Sequence, residues 1–281
     1  MSMLVNLVRS HFRTLKKINY ISWILPSEKF INDLRNYYRQ IVSFPFLFYV
    51  LHPNCFYKGV LAGSFIGTRF SPKTSWNFAP YFFLGTYEKE LEGFWNYLTK
   101  ANNKLKNIVI IGAAEGYYVC GLGRICQESS IIAYESSDES RRILELNLRI
   151  NNLSERVTVL GNCDYPEFYS QLKAESPDFI LCDIEGYENT LFTEQILQLL
   201  VNTILLIEVH PSYELLTKIP QIENTHKVFK IEPETRTLED YTVFDLASKA
   251  KKYEWMNERR PFSTPWILAL PNNHQSTMDF V

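Results

Sequence analysis

Asn107-Ile108-Val109-Ile110-Ile111-Gly112-Ala113-Ala114-Glu115-Gly116-Tyr117-Tyr118 joins a short apolar run to a bend of small residues. The run predicts a buried strand over Ile108–Ile111, stopped by Gly112. A helix is predicted from Tyr117 to Cys126. Small residues let the backbone turn sharply and let a ligand come close. The helix behind them offers unpaired N–H groups to that ligand.

The same rhythm continues outward. Strands are predicted at Ile131–Tyr134, Val157–Leu160, Phe179–Cys182 and Ile204–Val209. Helices are predicted between them: one capped by Ser137 and running to Ile150, one over Glu167–Ala174, and one including Thr193–Leu200. Alternation at this spacing indicates βαβ units and a parallel sheet covered on both faces. Beyond it lie a predicted strand at Lys227–Ile231, a helix near Tyr241–Lys251 and a last strand at Trp266–Leu270. Upstream, a helix over about Glu88–Lys100 carries Leu91, Phe94, Trp95 and Leu98 on one face. The expected fold is α/β, a Rossmann-like and mostly parallel seven-stranded sheet with helices on both faces. Residues 84–281 are read as that domain and residues 1–83 as a helical, aromatic-rich extension.

The extension differs in charge. Residues 1–40 hold seven Lys/Arg and two Asp/Glu, a net of +5, against −2 for all 281 residues. Leu4, Val8, Phe12, Leu15 and Ile18 recur at helical spacing. A second helix is expected after Ser27, with Phe30, Ile31, Leu34, Tyr38 and Ile41 as its stripe. A basic amphipathic segment of this kind buries one face on a neighbouring domain or lies on an anionic membrane surface. Arg9, His11, Arg13, Lys16 and Lys17 interrupt any signal-like apolar run. The near-neutral balance and pI of about 6.2 argue against a nucleic-acid partner. Five widely spaced cysteines without a C-x-x-C pair point to a reducing, cytoplasmic setting.

The chemistry-bearing residues fall at strand ends. Glu135 follows the second strand, 23 positions after Gly112. An acid there can accept hydrogen bonds from both hydroxyls of a ribose. The bend lacks the middle glycine of G-x-G-x-x-G, which admits a pyrophosphate, so a nicotinamide cofactor is disfavoured and one without phosphates is favoured. The third strand leads into Gly161-Asn162-Cys163-Asp164, whose polar groups can reach an adenine amino group. The fourth ends in Cys182-Asp183-Ile184-Glu185-Gly186-Tyr187-Glu188. Carboxylates crowded at a strand end are costly unless solvated, paired or used. The fifth ends in Glu208-Val209-His210, two positions that project to the same side. If strands four and five are neighbours, Asp183, Glu185, Glu208 and His210 meet in one cleft.

These motifs resemble S-adenosylmethionine-dependent methyltransferases of the Rossmann-like class, and within them the FkbM-type family. The resemblance runs over residues 84–210. It rests on the Gly112–Tyr118 bend, Ala133-Tyr134-Glu135, D-x-E-G-x-E at Asp183–Glu188 and Ile207-Glu208-Val209-His210. Asn147, Asn151, Arg156–Val159 and the Gly85-Thr86-Tyr87-Glu88 turn also match. The resemblance implies that Gly112, Ala113, Ala114, Glu115, Gly116 and Tyr117 wrap the methionine part of S-adenosylmethionine. It implies that Glu135 holds the ribose, that Cys163 and Asp164 flank the adenine and that Asp183 sits beside the methyl group. Glu185, Glu208 and His210 would face the acceptor, a small hydroxylated molecule such as a sugar or specialised metabolite. Many relatives carry an acid two residues before the first glycine. Here that position is Ile110, and Glu115 or Glu88 is the available substitute.

His210 is the leading base for a hydroxyl acceptor, because imidazole titrates near neutrality. Asp183 could take that role or orient His210. A divalent cation held by Asp183, Glu208 and His210 is the less favoured alternative. Tyr117 or Tyr118 could face the sulfonium. A non-catalytic binding module of the same fold and an NAD-dependent oxidoreductase are the rival readings.

Overall fold

The structure is a computed structural model. It describes residues 48–49, 51–74, 79–100, 105–210, 214–243, 245, 247–258 and 264–274. The chain divides into two units, Met1–Leu47 and Phe48–Val281, and every described residue belongs to the second. The two basic N-terminal helices expected from the sequence lie outside the described residues.

Seven strands form one sheet: β1 (Asn107–Ile111), β2 (Ser130–Tyr134), β3 (Val157–Leu160), β4 (Phe179–Cys182), β5 (Ile204–Glu208), β6 (His226–Ile231) and β7 (Trp266–Pro271). Their order is β3-β2-β1-β4-β5-β7-β6. The strands from β3 to β5 are parallel, and β7 is antiparallel to both of its neighbours. This is the Rossmann-like, mostly parallel sheet the alternation predicts. The order reverses between β1 and β4. That is where an open α/β sheet leaves a crevice beyond the carboxyl ends of its strands.

Both faces are covered. Ile108, Ile110, Leu181, Leu206 and Leu268 enter one core with Leu91, Phe94, Trp95 and Leu98 of the upstream helical segment. Val109, Ile111, Ile180, Leu205, Ile207 and Ile267 enter the other with Phe168, Leu172, Ile196 and Leu197. Successive residues of each strand alternate between the cores, as a two-sided sheet requires. Phe65 joins the first core, so residues upstream of the sheet help to build it. Five cysteines, Cys55, Cys120, Cys126, Cys163 and Cys182, are buried free thiols. Among the described residues no helix is long and apolar enough to cross a membrane.

Local chemistry explains the helix limits. Ser137 Oγ accepts from Ser140 N and starts the helix Asp138–Ile150. Thr193 does the same for Glu194–Leu199. The helix expected near Tyr241–Lys251 instead spans Lys249–Met256, capped by Ser248. Asp245 accounts for the shift. Its carboxylate accepts from Ala247 N at 2.8 Å and lies 2.7 Å from His52 Nε2. Such local side-chain bonds compete with a helix, and here they hold the chain open until Ser248.

The join of β1 to the following helix depends on Gly112. Its φ is +85°, and a Cβ there would lie 1.6 Å from the Asp183 carbonyl oxygen. Replacement of Gly112 by alanine is therefore expected to cost about 3 kcal/mol or more, from left-handed strain plus overpacking. Gly161 has nothing within 4 Å of its would-be Cβ. Gly161→Ala should stay within about 0.5 kcal/mol of the parent. Urea unfolding of both variants checks the contrast.

Candidate active site

The loop after β1 is held from several sides. Gly112 N and Ala113 N both donate to Tyr134 O, at 3.0 and 2.9 Å. Asn147, fully buried on the helix Asp138–Ile150, donates through Nδ2 to Glu115 O at 2.7 Å. The same side chain accepts from Ser71 N at 2.6 Å. One amide thus ties the loop to its covering helix and to the upstream segment. Gly116, with φ +96°, begins the helix Tyr117–Ile125 without a side-chain cap, leaving the first N–H groups of that helix open.

Glu135 reaches back to this loop. Its Oε2 accepts from Ala114 N at 2.8 Å, and its Oε1 accepts from Ser137 N at 2.7 Å. The carboxylate is fixed in place, yet each oxygen keeps a second lone pair. Cys163 lies buried beside Tyr134 and Phe168, and burial followed by the nearby Asp164 and Glu167 charges pushes its thiol up to about 12. A thiol raised this far is neutral near pH 7 and a poor nucleophile. Asp164 is the N-cap residue of the helix Tyr165–Ala174 and accepts from Asn162 Nδ2 at 2.6 Å.

On the other side of the reversal, β4 and β5 are neighbours, and their ends bring four of the named residues together. His210 Nε2 lies 3.5 Å from Asp183 Oδ1, 3.4 Å from Glu185 Oε2 and 3.6 Å from Glu208 Oε2. The imidazole is 7% exposed. Its Nδ1 is 2.7 Å from Glu188 Oε1. That oxygen also accepts from Ile184 N and Gly186 N, both at 3.2 Å. Glu188 belongs to the quoted motif, but the sequence gives it no separate role. The structure makes it the anchor of the imidazole.

The electrostatics follow from this crowding. Burial, and then the Glu208 charge, push the Asp183 carboxyl well above the usual carboxylate range. Burial likewise raises Glu208. Burial pulls His210 down, but the Glu188 hydrogen bond and the Glu188, Asp183 and Glu185 charges outweigh it, so its net shift is upward. Glu188 itself is lowered: burial opposes ionisation, and the bonds from His210 and backbone N–H groups overcome it.

Glu88 joins this group from upstream. It is 1% exposed and stands in the left-handed region at φ +45°. Burial and the charges of Glu208, Asp183, Glu258 and Glu90 raise its carboxyl well above normal. A clasp from the far end of the chain fixes its turn. Glu258 Oε1 accepts from Glu88 N at 2.8 Å, and Arg236 Nε donates to Thr86 O at 2.9 Å. Arg236 also pairs with Glu258 and, at 3.0 Å, with Glu90. A cleft of about 360 Å³ opens against the clasp, lined in part by Glu90, Arg236, Tyr253 and Glu258. No sequence signal announces the clasp, because its members are 22 to 170 positions apart.

Three further residues named from the sequence take these places. Tyr117 is packed among aromatic rings, stacked on Phe82 at 4.7 Å and edge-on to Tyr87 at 5.0 Å. Ile110 is fully buried in the core. Glu115 is half-buried, and its backbone carbonyl is engaged by Asn147.

No family model matches the chain, and no curated protein does. Solved structures do overlay on it. One is the O-methyltransferase TomG from Streptomyces achromogenes in complex with SAM, 12% identical, with 67% of this chain and 88% of that chain covered and a TM-score of 0.45. Another is the METTL16 MTase domain, 19% identical, covering 66% and 68%, with a TM-score of 0.44. A third is cofactor-bound Rv0187 from MTB, 13% identical, covering 63% and 78%, with a TM-score of 0.42. Likenesses this distant identify neither a substrate nor a catalytic residue of this chain.

The clasp yields a stability prediction. Removing Arg236 by R236A leaves buried Glu90 and Glu258 uncompensated and should cost about 3–5 kcal/mol in urea unfolding. Burial raises Glu258 from 4.5 to about 7 in spite of Arg236. The folded chain therefore binds that proton more tightly than the unfolded one between those values. The contribution of this group is full at low pH and is lost as pH rises through about 7. Unfolding free energy should fall between about pH 5 and about pH 8, and E258Q should make that fall shallower. An unchanged slope in E258Q would contradict this assignment.

Proposed function

We propose that this chain is an S-adenosylmethionine-dependent methyltransferase acting on a hydroxyl of a small molecule, such as a sugar or specialised metabolite. The observation that carries the reading is the pairing of Glu135 with the Gly112–Gly116 loop, next to the carboxylate–imidazole cluster at the ends of β4 and β5. Nucleoside-binding and proton-handling groups then face one crevice, at the reversal of strand order.

The residues present fit the cofactor. Glu135 is held at the loop with lone pairs to spare for ribose hydroxyls. Cys163 and Asp164 lie beyond the next strand, where an adenine would rest. Tyr118 Oη and Trp266 Nε1 are buried and find no hydrogen-bond partner among the described residues. Trp266 sits opposite Glu208 in the β5–β7 pair, and Tyr118 and Trp266 share one core face. Glu88, pushed toward its neutral form by burial among other acids, would ionise when a cationic ligand arrived and so take over from the acid that Ile110 replaces.

S-adenosylmethionine supplies an activated methyl group; the protein supplies position and proton transfer. The loop would hold the methionine part and Glu135 the ribose, beside the turn that carries Asp183. The protein's share of the catalysis would be to hold an acceptor hydroxyl in the same crevice, so that positioning does much of the work. A protonated hydroxyl is a weak nucleophile, and the cluster around His210 is where its proton leaves. The D-x-E-G-x-E and E-V-H elements favour the FkbM-type family as functional kin. Five unpaired thiols favour a cytoplasmic setting.

Isothermal titration of the full chain with S-adenosylmethionine should give about one site, and E135A should weaken it at least tenfold. His210→Ala should leave that affinity within about threefold while methyl transfer, followed as a product 14 Da heavier in a substrate screen, falls about 100-fold or more. No cofactor binding by the parent chain would favour the non-catalytic module, for which the buried Ile110 speaks. Undiminished turnover in the His210→Ala variant would remove the cluster from the chemistry.

A further inference from the structure

The surroundings of His210 Nε2, at the ends of β4 and β5, have a spacing longer than hydrogen bonds. Glu188 Oε1 accepts two backbone N–H bonds, so toward His210 it is also an acceptor, and the imidazole proton lies on Nδ1. The other ring nitrogen, Nε2, then faces three carboxylate oxygens at 3.4 to 3.6 Å. These separations exceed the 2.7–3.2 Å of an ordinary N–H···O bond. Asp183 Oδ1 is buried and has no hydrogen-bond partner among the described residues. His210 Nε2 and carboxylate oxygens of Asp183, Glu185 and Glu208 thus converge at more than hydrogen-bond length from the ring, while Asp183 and Glu208 share a hydrogen bond with each other.

The Nε2 spacings are those of ligands around one ion, and a small inward turn of the exposed Glu185 side chain would close the set. Two donors each about 2.1 Å from a metal, at a tetrahedral angle, stand about 3.4 Å apart. One donor atom each from Asp183, Glu185 and His210 can be chosen so that all lie within 4.8 Å of one another. The Nδ1 contact completes the pattern: a metal-ligating histidine commonly gives its other N–H to a carboxylate, which fixes the ring and its tautomer. Glu188 does this here, itself locked by the turn at Glu185 and Gly186.

We propose that Asp183, Glu185 and His210 bind one divalent first-row metal ion, with Glu208 beside it and Glu188 as the outer partner of the imidazole. One imidazole and two carboxylates suit ions such as Mn²⁺ or Zn²⁺; a Ca²⁺ site would draw on six to eight oxygens. Glu185 is the adjustable ligand, since its side chain is 89% exposed at the tip of the turn. The proposal deepens the methyl-transfer reading, and only its catalytic consequence rests on that reading: an ion here would acidify a hydroxyl bound to it. His210 then serves as a ligand, in place of the proton acceptor that the sequence favours.

The test is direct binding to the full chain, without cofactor or substrate. Titration with MnCl₂, followed by the loss of the free Mn²⁺ electron paramagnetic resonance signal, should show about one ion per chain, with calorimetry of ZnCl₂ as the parallel arm. E185A, at an exposed position that leaves the fold intact by circular dichroism, should weaken binding at least tenfold. H210A should do so at least as strongly, and E188A by about 10- to 100-fold. E135A should bind Mn²⁺ like the parent while losing S-adenosylmethionine. A parent chain that takes up neither ion, or an E185A variant that binds as the parent does, overturns the proposal. Cofactor binding without ion binding refutes the metal site alone; ion binding without cofactor binding refutes the methyl-transfer reading alone.

Discussion

The close approach of Gly112 to the carbonyl of Asp183 is the constraint on which the site depends. With no side chain at position 112, the ends of β1 and β4 press backbone to backbone. That contact sets the loop before the helix Tyr117–Ile125 directly beside the turn that carries Asp183, Glu185 and Glu188. A methyl or larger group there would drive the two strand ends apart, and the Glu135 side of the crevice would part from the acidic side. The reversal of strand order supplies the crevice, and the missing Cβ keeps it narrow.

The second theme is charge held under restraint. Glu88, Asp183, Glu188 and Glu208 are largely enclosed, and Glu185 closes the turn above them. In a medium of low polarisability such a group can be kept only by sharing protons, by receiving N–H bonds or by meeting a cation. The protein uses the first two visibly. Asp183, Glu208 and Glu88 are pushed toward the protonated form, and Glu188 is kept ionised by His210 and two backbone amides. A sulfonium-bearing cofactor or a metal ion would supply the third. The arrangement therefore reads as a receptor for positive charge, assembled from residues that would repel one another without it.

Much of this was legible before any coordinates. The strands from β1 to β5 are short apolar runs that end in glycine or polar residues, and their limits are within a residue of those read from the pattern. The adjacency of Asp183 and Glu208 followed once β4 and β5 were taken as neighbours. Three features were not legible. The helix at Lys249–Met256 begins late because Asp245 bonds to Ala247 and His52, a choice between local hydrogen bonds that periodicity does not register. The Arg236–Glu258 clasp joins segments far apart in the chain. Tyr117 packs among aromatics contributed by the upstream segment, whose irregular sequence gave no hint of where it lies.

The central claim is that one crevice holds the adenosine end on Glu135 and presents the reacting carbon to the cluster around His210. A crystal structure of the chain with bound S-adenosylmethionine tests it most directly. The account predicts ribose hydroxyls on the Glu135 carboxylate and the sulfonium methyl turned toward Asp183 and His210. Density for the nucleoside elsewhere, or a methyl group facing away from those side chains, would contradict it.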